Sequence, residues 1–205
     1  MATLNATNLK HASSGSNNIV LASDGSTTIS NLSNAGKILQ VVTNTTQNGT
    51  GSISVNSTRT LFDIPNMNVS ITPTSNTSKM LISFQQTGES SSSAHKYSFV
   101  LERQISGGAS TEIKGDVGSD TNKSALFTQA MQTYDYDDKD TTLELAHCSN
   151  YLDNPATTNA VTYKVRVQEH EGGTGTYYYN RNVRDNNANH SERGLSWVTV
   201  MEVAA

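Results

Sequence analysis

At 205 residues and a net charge of −4, the chain has room for one all-β domain plus an appendage. The acidic balance leaves no basic stripe for nucleic acid, and no apolar run approaches the ~18 residues of a membrane span. A single cysteine, Cys148, excludes an intramolecular disulfide framework and a Cys-based zinc site.

Charged residues make up only 16% of the chain, which argues against wholesale disorder. The polar mass is uncharged. Ser, Thr and Asn form about a third of the residues; Ser and Asn favour turns, and Thr is at home in strands. That balance predicts a β-protein with many turns.

Residues 1–36 read as an extended attachment arm. Leu4, Leu9, Ile19, Val20, Leu21 and Ile29 are scattered there through a polar background. Ser23-Asp24-Gly25-Ser26 is a tight-turn signal between Asn18–Leu21 and Thr27–Ile29, so a small β-hairpin is expected. A lone hairpin is marginal and needs a neighbour. The arm opens on Met1-Ala2-Thr3-Leu4-Asn5, which has neither the basic nor the apolar region of a secretory signal.

Residues 37–205 read as a knob of short strands. Lys37–Val42 opens it, and Asn48-Gly49 marks a turn. Arg59–Ile64 and Met67–Ile71 follow as two strands separated at Pro65, because proline prefers strand ends and edges. In Lys79–Phe84, Met80, Ile82 and Phe84 share one face at period two. Lys96–Arg103, Ala125–Met131 and Thr142–His147 come next. The clearest strand is Val161–Gln168: Val161, Tyr163, Val165 and Val167 point one way, and Thr162, Lys164, Arg166 and Gln168 the other. Thr176–Asn180 and Leu195–Val203 close the domain. Many strands, frequent turns and no helical period predict an antiparallel β-sandwich, jelly-roll-like, behind the arm.

Three features are candidates for a site. Asp135, Asp137, Asp138 and Asp140 are the densest carboxylate cluster. Counted from Asp135, an EF-hand loop needs Gly at position six and Glu at twelve, but Asp140 and Ala146 stand there. A looser calcium site or a solvated acidic loop remains. Tyr177, Tyr178 and Tyr179 with Arg181 form an aromatic patch suited to glycan or protein contact, or else a core strand with its hydroxyls at the rim. Trp197, Val198, Val200 and Met201 make the last strand apolar on both faces, which fits a central strand or an oligomer interface.

Catalytic signatures are missing. His11, His95, His147, His170 and His190 form no HxH or HExxH pattern, and no serine sits in a Gly-x-Ser-x-Gly elbow. Carboxylates such as Asp135, Asp137, Asp138 and Glu144 leave a carbohydrate-active jelly roll as an alternative. It requires a carboxyl pair facing a groove. A lectin-like module is the other. The expectation is a non-enzyme with no cofactor.

The segments Leu9–Gly25, Gly36–Val42, Val69–Ile82, Tyr151–Pro155 with Val161–Val165, and Val200–Val203 resemble short tail-fibre-like, head-fibre or decoration virion proteins of phages that infect marine bacteria and cyanobacteria. The likeness spans most of the chain and lies in turn-and-strand patterns. It implies a homotrimer on the virion surface, made in the host cytoplasm. It also implies an arm docked on capsid or tail proteins and a knob that decorates the particle or contacts host glycan or protein. It supplies no catalytic residues.

Overall fold

The computed structural model describes residues 7–16, 19–25, 27–29, 36–45, 49–56, 59–91, 97–119, 123–129, 143–169, 175–189 and 191–205, with backbone only at Thr28, Ile29 and Gln129. The described residues are all-β and contain no helix. The chain divides into two compact units, residues 1–35 and 36–205.

The first unit is a small antiparallel sheet. Strands β1 (Asn8–Leu9), β2 (Ile19–Leu21) and β3 (Thr27–Ile29) lie in that order. The turn before β3 depends on Gly25, whose φ of 86° is cheap only without a Cβ. The expected hairpin is therefore present, and β1 adds a third strand. Leu9 pairs with Ile19, and Ile19 with Ile29. Leu9 and Leu21 are exposed.

The second unit begins and ends on neighbouring strands. The N–H of Gly36 donates to Ala204 O, and that of Ala204 to Lys37 O, both at 2.9 Å. Its strands are β4 (Ile38–Thr45), β5 (Gly51–Val55), β6 (Phe62–Ile71), β7 (Lys79–Ser90), β8 (Tyr97–Ile105), β9 (Ser110–Ile113), β10 (Thr128–Gln129), β11 (Glu144–Asp153), β12 (Val161–Glu169), β13 (Gly175–Tyr179) and β14 (Trp197–Val203).

They form two antiparallel sheets. In the first, β7 carries β11 on one edge, and β14 followed by β13 on the other; β4 pairs with β14, and β5 with β13. The second runs β6-β12-β8, with β9 and β10 sharing the far edge of β8. Set aside the β5–β13 pair and count β9 with β10 as one strand. The first sheet is then β4-β14-β7-β11 and the second β6-β12-β8-β9/β10. Each sheet interleaves early and late strands in the order of a jelly roll.

The inward positions are those that the alternation predicts. Val161, Tyr163, Val165 and Val167 face Met80, Ile82, Phe84, Val198 and Val200, all essentially inaccessible. Burying a side chain of this size stabilises the fold by about 1.5–3 kcal/mol.

Pro65 does not break the chain into two strands. β6 continues through it because it is an edge strand, where a missing N–H leaves no partner unsatisfied. The irregularity appears as a bulge instead. Lys164 pairs with Asn68 and Arg166 with Asp63, so four residues of β6 oppose one of β12, with Asn66 left-handed at φ 61°.

Candidate interaction surfaces

The outward face of the first sheet carries an unusual row. Val41, Met201, Leu81 and Leu152 are register partners across β4, β14, β7 and β11. The end members, Val41 and Leu152, are each 55% exposed. The next row is Thr43, Thr199 and Ser83, uncharged, with the two threonine hydroxyls 2.9 Å apart. Beyond it lie Thr45, Trp197, Gln85 and His147, and at the opposite margin Ile38, Val203 and Lys79. Among these residues Lys79 is the one fixed charge.

This geometry splits the apolar last strand. Val198 and Val200 point into the sandwich and are fully buried, so they belong to the core of a single chain and not to an interface. Trp197 and Met201 point outward and are half-buried. The two-faced hydrophobicity of β14 thus has two causes. One face packs between the sheets, and the other belongs to the outer row.

The tyrosine patch divides in a similar way. Tyr177 is buried, with its ring edge-on to Phe99 at 5.6 Å and tilted over Tyr97 at 6.1 Å. Burial drives its hydroxyl far above the ordinary tyrosine range. Tyr179 packs against the same core. Both rings lie over glycines. A Cβ on Gly88 would meet the Tyr177 hydroxyl at 2.4 Å and the Tyr178 carbonyl at 2.3 Å, and one on Gly51 would meet the Tyr179 hydroxyl at 2.4 Å. These tyrosines fill space that two glycines leave open. Tyr178 faces outward, but the Arg181 guanidinium sits 4.2 Å from its ring centroid. Arg181 also donates to the carbonyls of Asn182 and Val183 and pairs with Asp185 at 3.6 Å. It staples residues 178–185 and is not a free recognition cation.

Asn180 and Ser196 belong to a buried polar cluster. Ser196 Oγ accepts from Thr87 N at 2.9 Å and donates to Asn180 Oδ1 at 2.5 Å, while Asn180 Nδ2 donates to Gly49 O at 2.6 Å. Nothing in the sequence marked it, since Asn and Ser are everywhere in this chain.

A second buried polar site lies at the far end of the sandwich. Glu202 is inaccessible, on the inward face of β14. Burial alone would raise its carboxyl, but the hydroxyl of Ser78, the hydroxyl and N–H of Thr74 and the amide of Gln40 overrule it and hold the group down to about 2. Thr74 N and Oγ1 each donate at 2.7 Å, and Gln40 Nε2 at 2.6 Å. Glu202 thereby ties the last strand to the β6–β7 loop.

The acidic cluster Asp135, Asp137, Asp138 and Asp140 lies outside the described residues, as does Leu4 of the arm; so do the side chain of Ile29 and the carboxylates suggested as partners for Glu144. Among the described residues no three His, Cys, Asp or Glu gather as a metal site. Cys148 is half-buried, and burial pushes its thiol up, away from a reactive thiolate.

No protein-family model and no curated protein matches this chain. Among solved structures, a chain of the infectious bursal disease virus Gx strain is similar, with a TM-score of 0.36 and 13% identity, covering 81% of this chain. This chain spans 37% of that one.

Proposed function

We propose that this chain is a non-enzymatic virion surface protein of the kind its sequence resembles. The arm unit docks on capsid or tail proteins. The jelly-roll knob associates as a homotrimer, decorates the particle and meets the host surface. The observation that carries this reading is the row Val41–Met201–Leu81–Leu152. An apolar row on an outward sheet face, with Lys79 the one fixed charge in the rows described beside it, suits a protein partner better than water. In a chain of net charge −4, it is also where a second copy meets the first without like-charge repulsion. The exposed Leu9 and Leu21 support docking by the arm.

Sedimentation equilibrium tests this on the full chain and on residues 36–205. The expected result is a trimer in both. A monomeric knob beside an assembled full chain overturns knob-driven association and makes the arm the organiser. Monomers in both overturn the reading altogether.

A further inference from the structure

The outward face of the first sheet changes character from one margin to the other. Its apolar row, Val41 to Leu152, lies toward one margin, with Lys79 beyond it. Toward the other margin the face is polar around one aromatic side chain. Trp197 sits there between Thr45 and Gln85 across the register, and His147 follows Gln85. It is the only tryptophan in the chain, and it is half-buried.

The polar side chains beside Trp197 are fixed by bonds that use only part of each. Gln85 Nε2 donates to Leu195 O at 3.0 Å, which orients the amide and leaves its oxygen as an acceptor. Ser83 Oγ accepts from Asn150 N at 3.2 Å and keeps its own proton to donate. The hydroxyls of Thr43 and Thr199 lie 2.9 Å apart, and that of Thr43 also reaches Val198 O at 3.2 Å; each retains a lone pair. Successive outward rows are about 7 Å apart and neighbouring strands about 4.8 Å, so these groups surround the indole within the span of a disaccharide.

We propose that this half of the face binds a neutral carbohydrate, with one ring packed on Trp197 and its hydroxyls bonded to Gln85, Ser83 and the threonines. A sugar ring has an apolar C–H face, whose slightly positive hydrogens suit the negative face of an indole, and a rim of hydroxyls that donate and accept. The side chains beside Trp197 match that rim. Among the described residues these two rows hold no lysine, arginine or carboxylate, so a neutral ligand is bound without stranding an ion. Past Thr45 the sequence continues as Thr46, Gln47 and Asn48, which are uncharged as well. A protein partner is better served by the apolar row, and a nucleic acid needs cations for its phosphates. The proposal rests on the surface-display reading and names the class of host ligand that the knob engages.

Because the chain has one tryptophan, its fluorescence reports on this site alone. The test is titration of the full-length protein with dextran, mannan, galactan and dextran sulfate at low and high salt, followed by that fluorescence and by calorimetry. The expected result is that at least one neutral glycan shifts the emission and shields the indole from acrylamide, with an affinity unchanged by salt. By calorimetry Trp197→Ala lowers that affinity about tenfold or more, Trp197→Phe keeps part of it and Ser83→Ala weakens it, all with little change in thermal melt. Lys164→Leu, on the outward face of the other sheet, leaves it intact. No binding by any neutral probe, binding of dextran sulfate alone, or full affinity in Trp197→Ala and Ser83→Ala overturns the proposal. So does an indole closed to acrylamide in the free protein, since a neighbouring copy then covers it. Sedimentation equilibrium reads assembly separately, so failure of the glycan site is distinguishable from failure of the trimer.

Discussion

The two sheets of the knob share one core and turn opposite characters outward. On the second sheet, the outward residues of β12 find polar partners across the register. Lys164 lies 3.8 Å from Glu102, Arg166 is 2.9 Å from Glu102 and 3.0 Å from Asp63, and Thr162 shares a hydrogen bond with Ser70 at 2.7 Å. On the first sheet the corresponding row is Val41, Met201, Leu81 and Leu152. Both faces obey the same pleat and the same register rule. Stability of the single chain requires only one apolar face per sheet. The second apolar face therefore needs a reason beyond the fold, and contact with another copy supplies one.

The strongest way to break this comparison is to charge the apolar row at its exposed ends. Val41→Glu with Leu152→Glu puts a carboxylate at each end, where each native side chain is 55% exposed. The cost to the fold is within about 1 kcal/mol, as is usual for surface changes. The expected outcome by sedimentation equilibrium is conversion of the proposed trimer to monomer with little change in thermal melt. Lys164→Leu, which makes the other face more apolar, leaves the mass as it was. A trimer that survives the double change shows that the row is not the interface.

The next effect concerns the seam between the sheets. The Glu202 carboxyl is depressed from its ordinary 4.5 to about 2 by the donors around it. Its contribution of about 3 kcal/mol is fully present above pH 4.5 and is lost as pH falls toward 2. Denaturant midpoints across that window therefore decline in the wild type. Glu202→Leu leaves Thr74 and Gln40 without their acceptor, lowers stability by about 2–4 kcal/mol at neutral pH and flattens this part of the profile. A wild-type profile flat from pH 5 to about pH 2.5 contradicts the geometry.

Period-two alternation made the core legible, because a strand buried on one face must alternate. Val161–Gln168 and Met80–Phe84 read correctly for that reason. β5 and β9 did not, since Gly51–Val55 and Ser110–Ile113 are short and polar and gain their strand geometry from neighbours. β6 was divided at Pro65 because sequence cannot say which strand will be at an edge. The double hydrophobicity of β14 was visible, but not which half faced inward. Sequence left Tyr177 and Tyr179 open between a contact patch and a core strand, because their reason for being there, the glycines at 88 and 51, is remote in sequence.

The smallest expected effect lies on the charged face, and it tests whether that face is indeed made for water. The Arg166 side chain is 21% exposed; it bridges Glu102, which is nearly buried, and Asp63, which is 69% exposed, and its guanidinium donates to Leu61 O at 2.9 Å. The Asp63 arm is a surface pair worth under about 1 kcal/mol and is screened by salt. The Glu102 arm matters more, because removing the guanidinium leaves a poorly hydrated carboxylate with, among the described residues, only Lys164 at 3.8 Å as an ion-pair partner. Arg166→Met keeps the packing of the stem and is expected to cost about 1–2 kcal/mol by urea denaturation. Pairing it with Glu102→Gln recovers part of that loss, since the stranded charge is then gone. If the single change costs nothing, the ion pairs are ornamental. If it alters the solution mass, the charged face takes part in assembly, and the contrast between the two faces fails.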